Sequence, residues 1–151
     1  MTSQPHGEYQ FSEQIGHLLR RAYQRHVAIF QQTVPDPQLT AAQFVVLCAV
    51  RDCGGCDVHQ IVRATAIDEA SVRGIVERLK WRDLLTATHE PGDARRMDIA
   101  LTPAGAALVG QTVPFAQEIS EITFGDLDAR ERADIVRLLR RISGIDAGRQ
   151  D

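Results

Sequence analysis

Cysteine, long apolar runs and surplus positive charge are all scarce in this chain, and each shortage closes off a class of protein. Three cysteines, an odd number, do not supply a full disulfide framework. No apolar run approaches the roughly 18 residues needed to span a bilayer, and the N-terminal stretch has no apolar signal core, so a cytoplasmic protein with no membrane partner is expected. Catalytic motifs are missing too: there is no phosphate-cradling glycine loop, metalloprotease helix or Gly-x-Ser-x-Gly nucleophile. Asp126, Asp128 and Glu131 read as helix-start signals, not as an acid/base pair. The expectation is a non-enzyme with no cofactor. A net charge of −3 argues against nucleic acid unless the charge is unevenly placed. Residues 60–100 hold seven Lys/Arg against seven Asp/Glu, which makes them the least acidic third but not a basic one.

Position matters more than count. At 151 residues the chain is about one domain long and able to bury roughly two-thirds of its unfolded surface. Within the middle third, the turn Pro91-Gly92 separates a Thr-rich run from one in which Met97, Ile99 and Leu101 alternate with Asp98 and Ala100. A period of two predicts a β-hairpin with one face packed and a tip carrying Arg95 and Arg96. Just before it, Arg73, Arg78, Lys80 and Arg82 share one predicted helix, and together these side chains can form a local basic face.

The remaining elements follow from periodicity and caps. Residues 1–10 are polar and read as a loose arm. Phe11, Ile15, Leu18, Leu19, Ala22, Ile29 and Phe30 fall in one arc and predict an amphipathic first helix over about 11–32. Thr40 and Gln43 make a capping box for a nearly all-apolar, hence central, second helix. Asp57 caps a short third helix to about residue 64. Asp68 caps a fourth to about residue 82, with Val72, Ile75, Val76 and Leu79 facing inward. Two helices joined by a short turn are a helix-turn-helix candidate. Thr102 and Pro103 start a long fifth helix to about residue 124 that Pro114 should kink. Asp128 and Glu131 start a last amphipathic helix containing Ile135, Val136, Leu138, Leu139 and Ile142. The terminal helices have broad apolar faces and no domain left to cover, so a two-fold homodimer is the economical solution.

Leu39-Thr40-x-x-Gln43-Phe44, Ser71-Val72, Leu79, Leu84, and the run from Asp93-x-Arg95 to Leu101-Thr102-x-x-Gly105 occur in this order. In these residues the chain resembles the MarR family of winged helix-turn-helix regulators from about Phe11 to Ile142. One departure is Asp83, where the family pattern usually has glycine. The resemblance implies a mainly α fold with a small β-wing: a winged helix-turn-helix with N- and C-terminal dimerisation helices. Residues 1–151 are then one domain, with about 38–101 as DNA-binding core and about 11–33 and 103–145 as dimerisation helices. It implies a sequence-specific, homodimeric repressor on a palindromic double-stranded DNA operator, released by a small aromatic acid or phenol.

On this reading the fourth helix enters the major groove with Ser71, Arg73 and Arg78, while the wing offers Arg95, Arg96 and, orienting Arg95, Asp93. Candidate effector residues are His17, Arg20, His26 and Phe44: two that meet a ligand carboxylate from the polar side of the first helix, a histidine within its apolar arc, and a ring able to stack. Each has a plain alternative, as surface or core. Two further readings stay open. Cys53-Gly-Gly-Cys56 followed by His59 suggests redox or metal sensing, although a structural zinc site needs four ligands and no second cluster with standard spacing is present. A winged-helix module that binds only protein is the other.

Overall fold

The structure, a computed structural model, describes residues 8–145, with the side chains of Glu90, Ala94 and Arg95 outside that description. Most of the arm expected over residues 1–10 therefore lies outside the described residues. Six α-helices and one hairpin follow in order: α1 Ile15–Thr33, α2 Ala41–Cys53, α3 Val58–Thr65, α4 Glu69–Trp81, β1 Leu85–Glu90, β2 Asp93–Leu101, α5 Pro103–Phe124 and α6 Ala129–Ile142.

The helix starts are set by side chains that satisfy the first-turn N–H groups. Reciprocal capping boxes join Thr40 to Gln43, Asp57 to Gln60 and Asp128 to Glu131. Single caps come from Asp68 at α4 and Thr102 at α5. One start differs from the expected helix over 11–32. Phe11–Glu13 form a separate 3-10 turn, and Gln14 is extended and accepts from the His17 backbone N–H at 3.1 Å, so that α1 begins at Ile15. At the expected kink, α5 runs unbroken through Pro114. The Gly110 carbonyl, which loses its partner there, lies on an exposed stretch where water can replace it.

The core lies among α2, α3, α4 and the hairpin. Val46, Leu47, Val50, Ile61, Val72, Val76, Leu79, Leu85 and Ile99 are buried, so the apolar second helix is central as expected. Leu85 pairs with Leu101 and Ala87 with Ile99 in the antiparallel ladder, which turns Ile99 into the core. Cys56 and Ile99 exchange backbone hydrogen bonds of 3.0 and 2.8 Å, which fasten the wing to the start of α3. Elsewhere α1 packs on α5. The α6 helix buries none of its residues, and Ile135, Leu138, Leu139 and Ile142 are all exposed. No helix among the described residues is long and apolar enough to cross a membrane.

Candidate nucleic-acid interface

Three inward residues orient α4. Val72, Val76 and Leu79 are fully buried, so the opposite arc, with Ala70, Arg73, Gly74, Glu77 and Trp81, faces solvent. Asp68 accepts from the Ser71 backbone N–H at 3.0 Å, and hydrogen bonds from the Ser71 hydroxyl and backbone hold the Asp68 carboxyl below its usual value. Ser71 thus stands at the exposed first turn with its hydroxyl engaged in the cap. Arg73 donates from Nε and Nη2 to one Glu69 oxygen at 3.2 and 2.8 Å, a pair one helical turn apart that also keeps the Glu69 carboxyl below its usual value. Arg78 is exposed and, with Trp81, Glu77 and Gly74, walls a broad groove of about 820 Å3 against Pro37, Gln38 and Arg82.

The wing holds its arginines outside the regular ladder. Met97 faces His89 and Asp93 faces Glu90, so residues 94–96 bulge out of the pairing. A bulge bends the strand and re-aims its side chains. Arg95 and Arg96 therefore sit in the first part of β2, just past the Pro91-Gly92 turn, not at the turn itself. Arg96 is exposed. The Arg95 side chain lies outside the described residues, and the expected orienting contact from Asp93 falls there too.

Arg73 of α4 and Arg96 of β2 line a common cleft of about 250 Å3 with Asp57, Val58, His59 and Met97. α4 and the hairpin thus share a recess lined by two arginines and the Asp57 carboxylate, and His59, expected only as a neighbour of the cysteines, belongs to it. Its signal was its place in the first turn of a helix leading into the helix-turn-helix. All three cysteines line another cleft between α2 and α3, and Cys56 also borders the recess through a small pocket shared with Asp57, Arg96 and Met97. Cys53 is exposed and Cys56 buried. Burial, a hydrogen bond in which the Cys56 thiol donates to Cys53, the charge of Cys53, and the carboxylates of Asp57 and Asp98 push the Cys56 thiol up to about 12. Among the described residues no group of three or more His, Cys, Asp or Glu is placed to hold a metal.

The four effector candidates do not converge within one chain. His17 packs edge-on against Phe11 at 5.3 Å, and Arg20 is exposed near the same end of α1. His26 lies further along, half-buried, where its Nδ1 is 2.8 Å from Thr123 Oγ1 of α5. Phe44 tilts against Phe30, with ring centres 5.8 Å apart. The last two are satisfied by core and interhelix packing, whereas His17 is half-buried against Phe11 and Arg20 is exposed.

A model of the MarR family matches residues 38–96, a span that runs from the cap of α2 through the wing bulge. The HTH-type transcriptional repressor NicR of Pseudomonas putida is 53% identical over 134 residues, covering 89% of this chain and 85% of NicR. The chain belongs to the MarR family. MarR-family proteins are winged helix-turn-helix transcriptional regulators, and the helical frame with its two-stranded wing is their fold. A solved structure on the regulation of DNA binding of Bordetella bronchiseptica BpsR by 6-hydroxynicotinic acid superposes with a TM-score of 0.86 at 61% identity, covering 91% of this chain and 99% of that one. A MarR mutant from E. coli complexed with operator DNA superposes with a TM-score of 0.78 at 25% identity, covering 89% of this chain and 99% of that one.

Proposed function

We propose that this MarR-family protein is a homodimeric transcriptional repressor that binds a palindromic operator and lets go of it when a hydroxylated aromatic acid of the 6-hydroxynicotinic type binds. The observation that carries the effector class is the 61% identity to BpsR, whose DNA binding 6-hydroxynicotinic acid regulates. The repressor role is supported by the likeness to NicR. Dimerisation is supported by the apolar side chains that α1 and α6 leave in solvent, since burying a Leu or Ile side chain stabilises by about 1.5–3 kcal/mol.

In this reading Ser71, Arg73 and Arg78 meet DNA from α4, and Arg95 reaches the adjoining minor groove from the wing, with Asp93 orienting it and Arg96 a further DNA contact beside it. Arg20 and His17 supply cations or N–H donors for the acid's carboxylate across the dimer, because an anionic ligand leaves water only when its charge is paired. Phe44 stacks on the ring, and His26 links α1 to α5 beside it. Binding shifts the equilibrium towards the dimer geometry whose wing spacing does not match the operator.

The experiment is fluorescence anisotropy on a duplex from the protein's own upstream region, titrated with 6-hydroxynicotinic acid, nicotinic acid and benzoic acid. Sequence-selective binding reversed by the hydroxylated acid at the lowest concentration is the expected result. Selective binding that none of the acids reverses rejects the effector, and the absence of a selective complex rejects the DNA role.

A further inference from the structure

We infer that the recess between α3, α4 and β2 seats a phosphate of the DNA backbone, with His59 as a DNA contact alongside Arg73 and Arg96. The inference rests on the DNA-binding reading and extends the interface to a third element. A helix in the major groove and a wing in the adjoining minor groove straddle one sugar-phosphate strand, because that strand is what separates the two grooves. Whatever lies between helix and wing therefore faces it. In this protein that place is a recess of about 250 Å3 lined by Arg73 from the helix, Arg96 from the wing and His59 from α3.

The chemistry suits a phosphodiester. Three nitrogen-bearing side chains from three separate elements reach one recess, and all three are exposed, so none has collapsed into the core. Each is placed by a different constraint. Arg73 is held by its two hydrogen bonds to Glu69. Arg96 rides on the bulge, and β2 is itself fastened to the start of α3 through Cys56 and Ile99. His59 sits in the first turn of α3, whose capping box ties the Asp57 carboxylate to the Gln60 N–H at 2.8 Å. Of the carboxylates there, Asp57 lines the recess and is engaged by its cap, Glu69 is paired with Arg73, and Asp98 stands with Arg96 in the adjoining pocket. His59 offers an N–H in either tautomer and two when protonated.

The test uses the full-length protein and the upstream duplex. His59→Ala, checked for folding by circular dichroism, is expected to weaken binding about three- to tenfold. The loss should be equal on the selected duplex and on an unrelated one, since phosphate contacts carry no sequence information. His59→Gln, which keeps an N–H donor, should lose less. Duplexes in which single phosphates are replaced by neutral methylphosphonates give the decisive readout. One position in each half-site should weaken the wild type more than it weakens His59→Ala, which keeps Arg73 and Arg96 at that phosphate. Unchanged affinity, or equal losses at every position in both proteins, overturns the inference while leaving the DNA role standing. So does a variant that binds DNA normally but no longer responds to 6-hydroxynicotinic acid, which would make the recess an effector site. A wild type with no selective complex overturns both.

Discussion

Gly105 and Asp83 show how single residues set the junction between recognition helix, wing and α5. A Cβ on Gly105 would lie 2.1 Å from the Leu84 carbonyl oxygen, a backbone atom that cannot step aside. The close approach is used: Thr102 donates from its backbone N–H to Leu84 O at 3.2 Å and from its hydroxyl to Asp83 O at 2.6 Å. Gly105→Ala is therefore expected to destabilise by about 1–3 kcal/mol, the usual cost of overpacking, measured as a lower denaturant midpoint. Asp83 stands where glycine is usual and still adopts a left-handed φ of 57°. The Leu84 N–H to Leu79 O bond of 3.0 Å closes the helix end around it. Asp83→Gly should relieve that conformation and stabilise the fold by up to about 1 kcal/mol, read as a higher midpoint.

A second residue-scale device clamps the loop before α2 to the end of α4. Arg82 Nη2 donates to Asp36 Oδ2 at 2.6 Å, and both side chains are mostly buried. Burial pushes the Asp36 carboxyl up, but the Arg82 hydrogen bond and charge, with backbone N–H groups of Gln38 and Leu39, outweigh it and leave the carboxyl below its usual value of 3.8. A depressed folded value stabilises the fold above the unfolded one, and that stability is lost as pH falls through the folded value. The clamp should thus be complete at neutral pH, begin to weaken only below pH 3.8 and be lost as pH falls through the lower folded value. Asp36→Asn should cost about 1–3 kcal/mol near neutrality, because Arg82 Nη1 is already buried without a partner. It should also flatten the acid limb of the stability profile. An acid limb identical to that of the wild type would show that Asp36 contributes nothing to it.

At the scale of elements, legibility followed locality. The caps at Thr40, Asp57, Asp68, Thr102 and Asp128 were readable because a cap is a contact between residues two or three apart. The inward face of α4 was readable from its period. Two features were not. The break at Gln14 depends on a glutamine acting as a cap, outside the usual cap residues. The bulge at residues 94–96 depends on strand register, which is set by the packing of Ile99 in the core and its pairing with Cys56, contacts distant in sequence. The recess holding His59 was hidden for the same reason, since three elements must meet before it exists. The wing's role is testable as an element. Arg95→Ala should weaken operator binding and lower the salt slope by about 0.9, the loss of one phosphate-equivalent charge. Equal affinity across a salt titration from low to physiological ionic strength would remove Arg95 from the interface.

At the scale of the molecule, the apolar surface that a single chain leaves in water is what supports the proposed dimer. Ile142 is 62% exposed and Leu138 46%, on a helix with no fully buried residue, while Phe11 and Ile15 are exposed at the other end. A stable interface needs about 1,200–2,000 Å2 of total buried surface, and two long helices per chain can supply it. That arrangement separates folding from assembly in a way that can be measured. Leu138→Glu removes an apolar contact that the chain itself does not use, so the helix-turn-helix and its core, held by Leu47, Val76, Leu79 and Ile99, should remain intact. On the proposed dimer, sedimentation should show a dimeric wild type and a monomeric variant, with the helical circular dichroism signal largely retained. Operator affinity should fall by about 100-fold or more, because two half-sites no longer bind as one, while affinity for an isolated half-site stays the same. A Leu138→Glu protein that remains dimeric would move the interface away from this face of α6, and one that is monomeric but binds the full operator normally would show that a single chain suffices.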